Sequence, residues 1–223
     1  MRRREVVGLG AGLSALALTG CQKKTKPVSE NTFWERQPDD ADWKEVNASF
    51  WFSQHPRITY WRRHYDKTRD PWKLWKRAGR YLPEIRREFK EQKLPLELCL
   101  LPMVESSFDP LARSQRAVGL WQFIAPTAID MGLIVNNRMD ERLDWGKSTV
   151  AAAKYLKQLA RQFNGNWGLV LAAYNFGPGS VSRATQAQGT RDFWALEVRQ
   201  ETAEYVPKFL AMVQLLRESF PEV

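Results

Sequence analysis

Apolar residues recur at helical spacing through most of the chain. After Ser148, residues Ala152, Tyr155, Leu156, Leu159, Ala160 and Phe163 fall at i, i+3, i+4, i+7, i+8 and i+11. This predicts an amphipathic helix with Ser148 as its N-cap. Asn164-Gly165-Asn166 ends that helix and caps the next, Trp167 to Tyr174. A last helix carries Val206, Phe209, Leu210, Val213, Leu216 and Phe220 on one stripe, with Pro207 marking its first turn or a kink. The run Leu94 to Val104 is apolar on every side, so as a helix it belongs in a core, with Pro95 in the first turn. No run alternates convincingly with a period of two and no segment repeats, so the expected fold class is mostly α.

The N-terminal region departs from this pattern. Met1-Arg2-Arg3-Arg4 is basic, and Val6 to Gly20 is a 15-residue stretch of apolar and small residues. A membrane span needs about 20 residues, so residues 1–20 read as a secretory signal peptide, with an uncleaved membrane anchor as the alternative. Gln22 to Asp40 is polar, holds Lys23, Lys24, Lys26, Pro27 and Pro38, and lacks periodicity. Residues 21–42 therefore read as a flexible tether, with ordered structure expected from near Trp43.

Removing residues 1–20 takes three arginines and one glutamate from 34 basic and 25 acidic side chains, leaving 31 and 24 and a net charge of +7. The basic residues concentrate between Arg57 and Lys93, interleaved with Trp61, Tyr65, Trp72, Trp75 and Tyr81. Such interleaving can bind single-stranded nucleic acid, but export past the membrane argues against it. The stronger reading packs the aromatics inward and solvates the bases, and a modest attraction to an anionic cell wall is the remaining one. The only histidines, His55 and His64, have no nearby cysteine ligands, so no zinc site is expected. A cysteine nucleophile is disfavoured too, since Cys99 lies in an apolar setting. No cofactor is implied.

Chemistry concentrates after the apolar run. Glu105 closes it and is followed by Ser106, Ser107, Phe108, Asp109 and Pro110, then by Gly119-Leu120-Trp121-Gln122-Phe123. A carboxyl at the mouth of a dry core is desolvated, which raises its pKa above about 4.3, as a general acid near neutral pH requires. Two further segments stand out, Ala172-Ala173-Tyr174-Asn175-Phe176-Gly177 at a helix stop and Glu201-Thr202-Ala203-Glu204-Tyr205-Val206-Pro207. Glu201 and Tyr205 lie one turn apart, so they can share a helical face. Taken alone, each segment also suits an ordinary helix terminus.

In this order the three segments resemble the lytic transglycosylases of bacterial cell-wall metabolism, in particular the membrane-bound lytic murein transglycosylase D type. The resemblance implies a lysozyme-like catalytic domain over residues 81–223 and an N-terminal helical extension over 43–80. It implies that Glu105 is the catalytic acid and then base in cleavage of the β-1,4 bond between N-acetylmuramic acid and N-acetylglucosamine, with 1,6-anhydromuramyl products. Tyr174 would orient the Glu105 carboxyl, and Trp121, Phe123 and Tyr174 would line the cleft. Ser114, Gln122, Asn175, Glu201 and Tyr205 would contact or frame substrate. Leu18-Thr19-Gly20-Cys21 resembles a lipobox, so Cys21 is the expected lipidation site, and Gln22 points to the periplasmic face of the outer membrane. The implied partners are peptidoglycan strands and, through the lipid, the membrane. No nucleic acid or particular protein partner is implied.

The chain departs from the family pattern in two places. Four residues, Gln115 to Val118, separate Ser114 from Gly119 where five are usual, and Phe176 stands where the family carries alanine. A lysozyme-type hydrolase and a non-catalytic wall-binding lipoprotein are the alternative readings.

Overall fold

A computed structural model describes residues 48–68 and 71–219. The expected signal peptide, Cys21, the tether, the first residues of the 43–80 extension and Phe220 lie outside them. Among the described residues the structure is helical apart from one two-stranded ribbon, so the mostly-α expectation holds.

Helices α1 (Ala48–Trp51), α2 (Pro56–Thr68), α3 (Pro71–Ala78) and α4 (Leu82–Glu91) lead into a 3₁₀ turn, Leu96–Leu100, and α5 (Leu101–Glu105). The ribbon pairs β1 (Ala117–Val118) with β2 (Phe123–Ile124) and is followed by α6 (Ala125–Asp130) and a second 3₁₀ turn, Glu141–Leu143. Helices α7 (Trp145–Gln162), α8 (Trp167–Phe176), α9 (Pro178–Gln188) and α10 (Gln200–Ser219) complete it. The run 94–104 is thus not one helix. Pro95 caps the 3₁₀ turn and Pro102 falls in the first turn of α5, so the run bends between two short pieces while burying nearly every side chain.

The core is built around α8 and α10. From Trp167 to Ala173 every residue of α8 is buried, as is every residue of α10 from Phe209 to Leu216. A helix apolar on all sides must be enclosed, and α10 is enclosed by α2, α5 and α8. Trp51 of α1 closes one end, with its ring centroid 6.0 Å from Trp167 and 6.3 Å from Phe209. The one polar residue in the last turns of this core stretch, Gln214, donates from Nε2 to the Trp51 and Ser53 carbonyls at 3.1 and 3.2 Å, which caps the end of α1. Between Arg57 and Lys93, Tyr65, Trp75 and Tyr81 are buried while Arg63, Arg77, Arg80 and Arg87 are exposed, as the packing reading expects.

Two helix starts differ from the sequence expectation. Helix α7 begins one turn earlier than Ser148, with Asp144 as the N-cap accepting from the Lys147 amide at 3.0 Å. Ser148 is instead buried inside the helix. Pro207 lies two turns into α10, beyond its first turn. A proline there removes the amide that would bond the Ala203 carbonyl and costs about 3 kcal/mol. Burial of Val206, Phe209, Leu210, Val213 and Leu216 contributes about 1.5–3 kcal/mol per side chain and outweighs it. The orphaned carbonyl also gains a donor, Arg57 Nη1 of α2, at 3.2 Å.

Arg57→Met keeps the apolar stem and removes that donor. The expected loss is about 1–2 kcal/mol, a fall of roughly 3–6 °C in melting temperature. A thermal melt within about 1 °C of the parent would show that the Ala203 carbonyl needs no replacement donor.

Candidate active site

Glu105 is the last residue of α5. The helix stops there because Ser107 and Phe108 adopt left-handed backbone, with φ of 55° and 57°. Non-glycine residues resist that conformation, but Phe108 is held by full burial and by stacking on Tyr81, with centroids 6.2 Å apart. Ser106 Oγ donates to the Leu120 carbonyl at 2.8 Å, tying the end of α5 to the 119–122 turn. That turn requires glycine at 119. Its φ is 86°, and a Cβ there would lie 1.9 Å from the Arg142 carbonyl oxygen.

The carboxyl of Glu105 opens onto a cleft of about 430 Å³ lined also by Ser114, Gln122, Phe123, Tyr155, Tyr174, Asn175, Phe176, Arg199 and Glu201. Five of the six residues expected to frame the site, all but Tyr205, line this cleft beside Glu105. Tyr205 of α10 reaches it from behind, donating its hydroxyl hydrogen to Glu105 Oε1. Ser114 Oγ accepts from the Ala117 amide at 3.1 Å and so closes the four-residue loop. Gln122 Nε2 donates to the carbonyls of Gly119 and Ala112 at 2.9 and 3.3 Å, leaving its carbonyl oxygen to offer the cleft.

Asn175 occupies the end of α8, where Gly177 (φ 85°) turns the chain directly into α9. Its Oδ1 accepts from Thr202 Oγ1 at 2.7 Å and its Nδ2 donates to Glu201 at 3.3 Å. Arg199 donates to the Asn175 carbonyl at 3.1 Å, pairs with Glu201 at 3.5 Å, and lays its guanidinium 4.5 Å from the centre of the Phe176 ring. Arg199 and Thr202 were not among the residues expected at the site. Thr202 falls inside the third segment, but nothing local marks Arg199 as a site residue, because the bond that brings it to the turn of Asn175 reaches 24 residues back.

Two expectations change. The ring of Trp121 does not line the cleft. It is fully buried, stacks on Phe89 with centroids 5.5 Å apart, and donates from Nε1 to Thr149 Oγ1 at 3.0 Å. A buried indole needs an acceptor for its N–H, and the core supplies one. Tyr174 contacts the Trp121 carbonyl at 2.8 Å, so the hydroxyl that reaches the Glu105 carboxyl belongs to Tyr205.

Desolvation pushes the Glu105 carboxyl up to about 7, against the Tyr205 hydrogen bond, which favours the carboxylate, and with help from the nearby charge of Glu201. Burial and the Glu105 charge hold the Tyr205 phenol well above its ordinary value, so it stays a donor through neutral pH. Among the described residues no group of three His, Cys, Asp or Glu side chains is placed to share a metal ion, and no helix is long and apolar enough to cross a membrane.

These causes carry signs that a ¹³C titration of the Glu105 carboxyl can read. Tyr205→Phe removes a bond to the charged form, so its midpoint should rise above about 7. Glu201→Gln removes a like charge, so the midpoint should fall. A parent titrating near 4.5, or two variants moving the same way, would contradict the electrostatic account.

Residues 83–197, just over half of the 223-residue chain, match the model of the transglycosylase SLT domain. The membrane-bound lytic murein transglycosylase D of Escherichia coli (strain K12) is 43% identical over 148 residues, 64% of this chain and 33% of that protein. A protein of Alteromonas sp. (strain M-1) named for tributyltin chloride resistance is 37% identical over 118 residues, 52% of this chain and 57% of that one. The chain thus spans a third to just over half the length of these relatives. Among solved structures, the 70 kDa soluble lytic transglycosylase of Escherichia coli aligns with a TM-score of 0.56 at 24% identity, over 64% of this chain and 25% of that one. That likeness gives the fold, which is lysozyme-like. Since the matched segment begins ahead of Glu105 and runs on through the Tyr174 turn, the chain belongs to the transglycosylase SLT-domain family.

Proposed function

We propose that this protein is a peptidoglycan lytic transglycosylase, a lyase acting on the β-1,4 bond between N-acetylmuramic acid and N-acetylglucosamine. The observation that carries the reading is a desolvated carboxyl, Glu105, whose pKa of about 7 leaves a large protonated fraction at neutral pH, set in a cleft wide enough for sugar rings. Protonated Glu105 gives its proton to the glycosidic oxygen as the bond to the anomeric carbon breaks. The N-acetyl group can stabilise the charge left on that carbon, as in substrate-assisted glycosidases. The Glu105 carboxylate then takes the proton of the muramyl 6-hydroxyl, whose oxygen attacks the anomeric carbon and closes the 1,6-anhydro ring. The proton balance is restored and no water is consumed.

Water has to be kept from the anomeric carbon in the second step, which suits walls made by Phe123, Tyr155, Tyr174 and Phe176. Gln122 and Ser114 are assigned to the N-acetyl and neighbouring hydroxyl groups, and Asn175 and Glu201 to the framing of the turn beside the bond cleaved. Tyr205 orients the carboxyl. Residues 1–20 are assigned as a lipoprotein signal peptide and 21–42 as a tether. Residues 43–80 and 81–223 are assigned as helical extension and catalytic domain, with the protein held by lipid on Cys21 at the periplasmic face of the outer membrane.

Mass spectrometry of muropeptides released from purified sacculi tests the reaction. The expected products end in anhydromuramic acid, lighter by one water than those of a hydrolase, and Glu105→Gln should lower their release by at least about a hundredfold with the melting temperature unchanged. Reducing muramyl ends would assign the cleft to hydrolysis instead, and a variant within about threefold of the parent would remove Glu105 from the mechanism.

Localisation is tested separately. Cys21→Ser should leave a precursor that no longer fractionates with outer-membrane lipoproteins. Unchanged fractionation would overturn the lipid-anchor assignment.

A further inference from the structure

Glu105, Asn175 and Glu201 also line a second compartment of about 330 Å³, completed by Trp61, His64, Tyr65, Val104, Tyr205 and Lys208. It adjoins the main cleft through the three shared residues and falls within the range of about 300–1,000 Å³ that small-ligand sites occupy. Its outer walls come from α2 and α10, which lie outside the segment 83–197 matched by the family model.

The charges in and beside this compartment are unevenly committed. Glu204 Oε2 accepts from Trp61 Nε1 at 2.5 Å, and Glu201 is engaged by Asn175 and Arg199. Lys208 is held differently, with its ammonium 4.4 Å from the centre of the Trp61 ring and no carboxylate within ion-pair distance among the described residues. A ring face fixes a cation without neutralising it. Lys208 therefore presents a positioned positive charge to a compartment that shares the Glu105 carboxyl.

We propose that this second compartment binds the part of the glycan strand on the far side of Glu105 and that Lys208, seated on Trp61, pairs there with a carboxylate of the peptide borne by the muramyl lactyl group. The inference rests on the peptidoglycan reading of the cleft. In the strand that reading names, the acidic groups sit on the peptides and the sugar rings themselves are neutral. Lys208 then makes strands with acidic peptides preferred over uncharged ones, and the helical extension takes part in substrate choice through Trp61, His64 and Tyr65.

The test is calorimetric titration of the full chain carrying Glu105→Gln, which binds without turnover. The two ligands are a peptide-bearing muramyl tetrasaccharide and the same tetrasaccharide stripped of its peptides, with the freed lactyl carboxyls converted to amides so that it carries no negative charge. Lys208→Met in that background should weaken the peptide-bearing ligand about fivefold at low ionic strength and the stripped one less than twofold. Lys208→Arg should retain the preference. Equal weakening of both ligands, or no weakening of either, overturns the proposal. Because the titration reads binding and product analysis reads chemistry, the two claims fail separately. Anhydromuramyl products with no Lys208 effect would overturn this inference alone, and a Lys208 preference with reducing ends would overturn the transglycosylase reading alone.

Discussion

A carboxyl group held where water cannot fully solvate its charge is the constraint around which the site is arranged. Glu105 ends an apolar run whose neighbours Leu98, Cys99, Leu100, Leu101 and Met103 are fully buried, so desolvation is imposed by the core itself. Everything that touches the carboxyl adjusts this cost. The Tyr205 hydroxyl offers the charged form one hydrogen bond, and Glu201 adds a like charge that acts the other way. Desolvation wins, and the group is left half protonated near neutral pH, the range in which a general acid is best poised.

Holding that carboxyl in place takes three stretches far apart in sequence. The left-handed pair Ser107 and Phe108 stops α5, the 119–122 turn receives the Ser106 hydroxyl, and α10 brings Tyr205 from one hundred residues away. Helix α10 is in turn held by α2, whose Arg57 replaces the amide donor that Pro207 lacks and whose Trp61 meets Glu204 and Lys208. The N-terminal helices thus support the element that carries Tyr205. Arg57 also stands over Trp194, on whose other partner, His55, the ring is stacked at 4.0 Å, so the segment after α9 is pinned by the same region.

Much of this is legible in the residues because burial and capping are local. The apolar run predicts a dry environment for Glu105 whichever helical form it takes, and Asn166 caps α8 as its side chain and position imply, accepting from the Leu169 amide at 3.2 Å. The misreadings have tertiary causes. Pro207 reads as a first turn or a kink, and its place two turns into α10, which sets the first of these aside, has its cost offset by burial and by a guanidinium 146 residues away. The start of α7 reads as Ser148, a good N-cap residue ahead of the apolar stripe, one turn after the true cap at Asp144. Trp121 reads as a cleft residue until Thr149 supplies its N–H with a buried acceptor. The two-residue strands are too short for alternation to register, and Arg199 and Lys208 owe their placement to Phe176 and Trp61, contacts that no spacing encodes.

The central claim, that a desolvated Glu105 is the acid of this site, is tested most directly by the pH dependence of kcat/KM for sacculus cleavage, which reports the ionisation of the free protein's essential groups. The account predicts a limb on the alkaline side with an apparent pKa near 7, along which the rate falls about tenfold per pH unit as the acid is lost. A rate that stays level to pH 9, or that has already collapsed above pH 5 with the midpoint of an ordinary carboxyl, would contradict it.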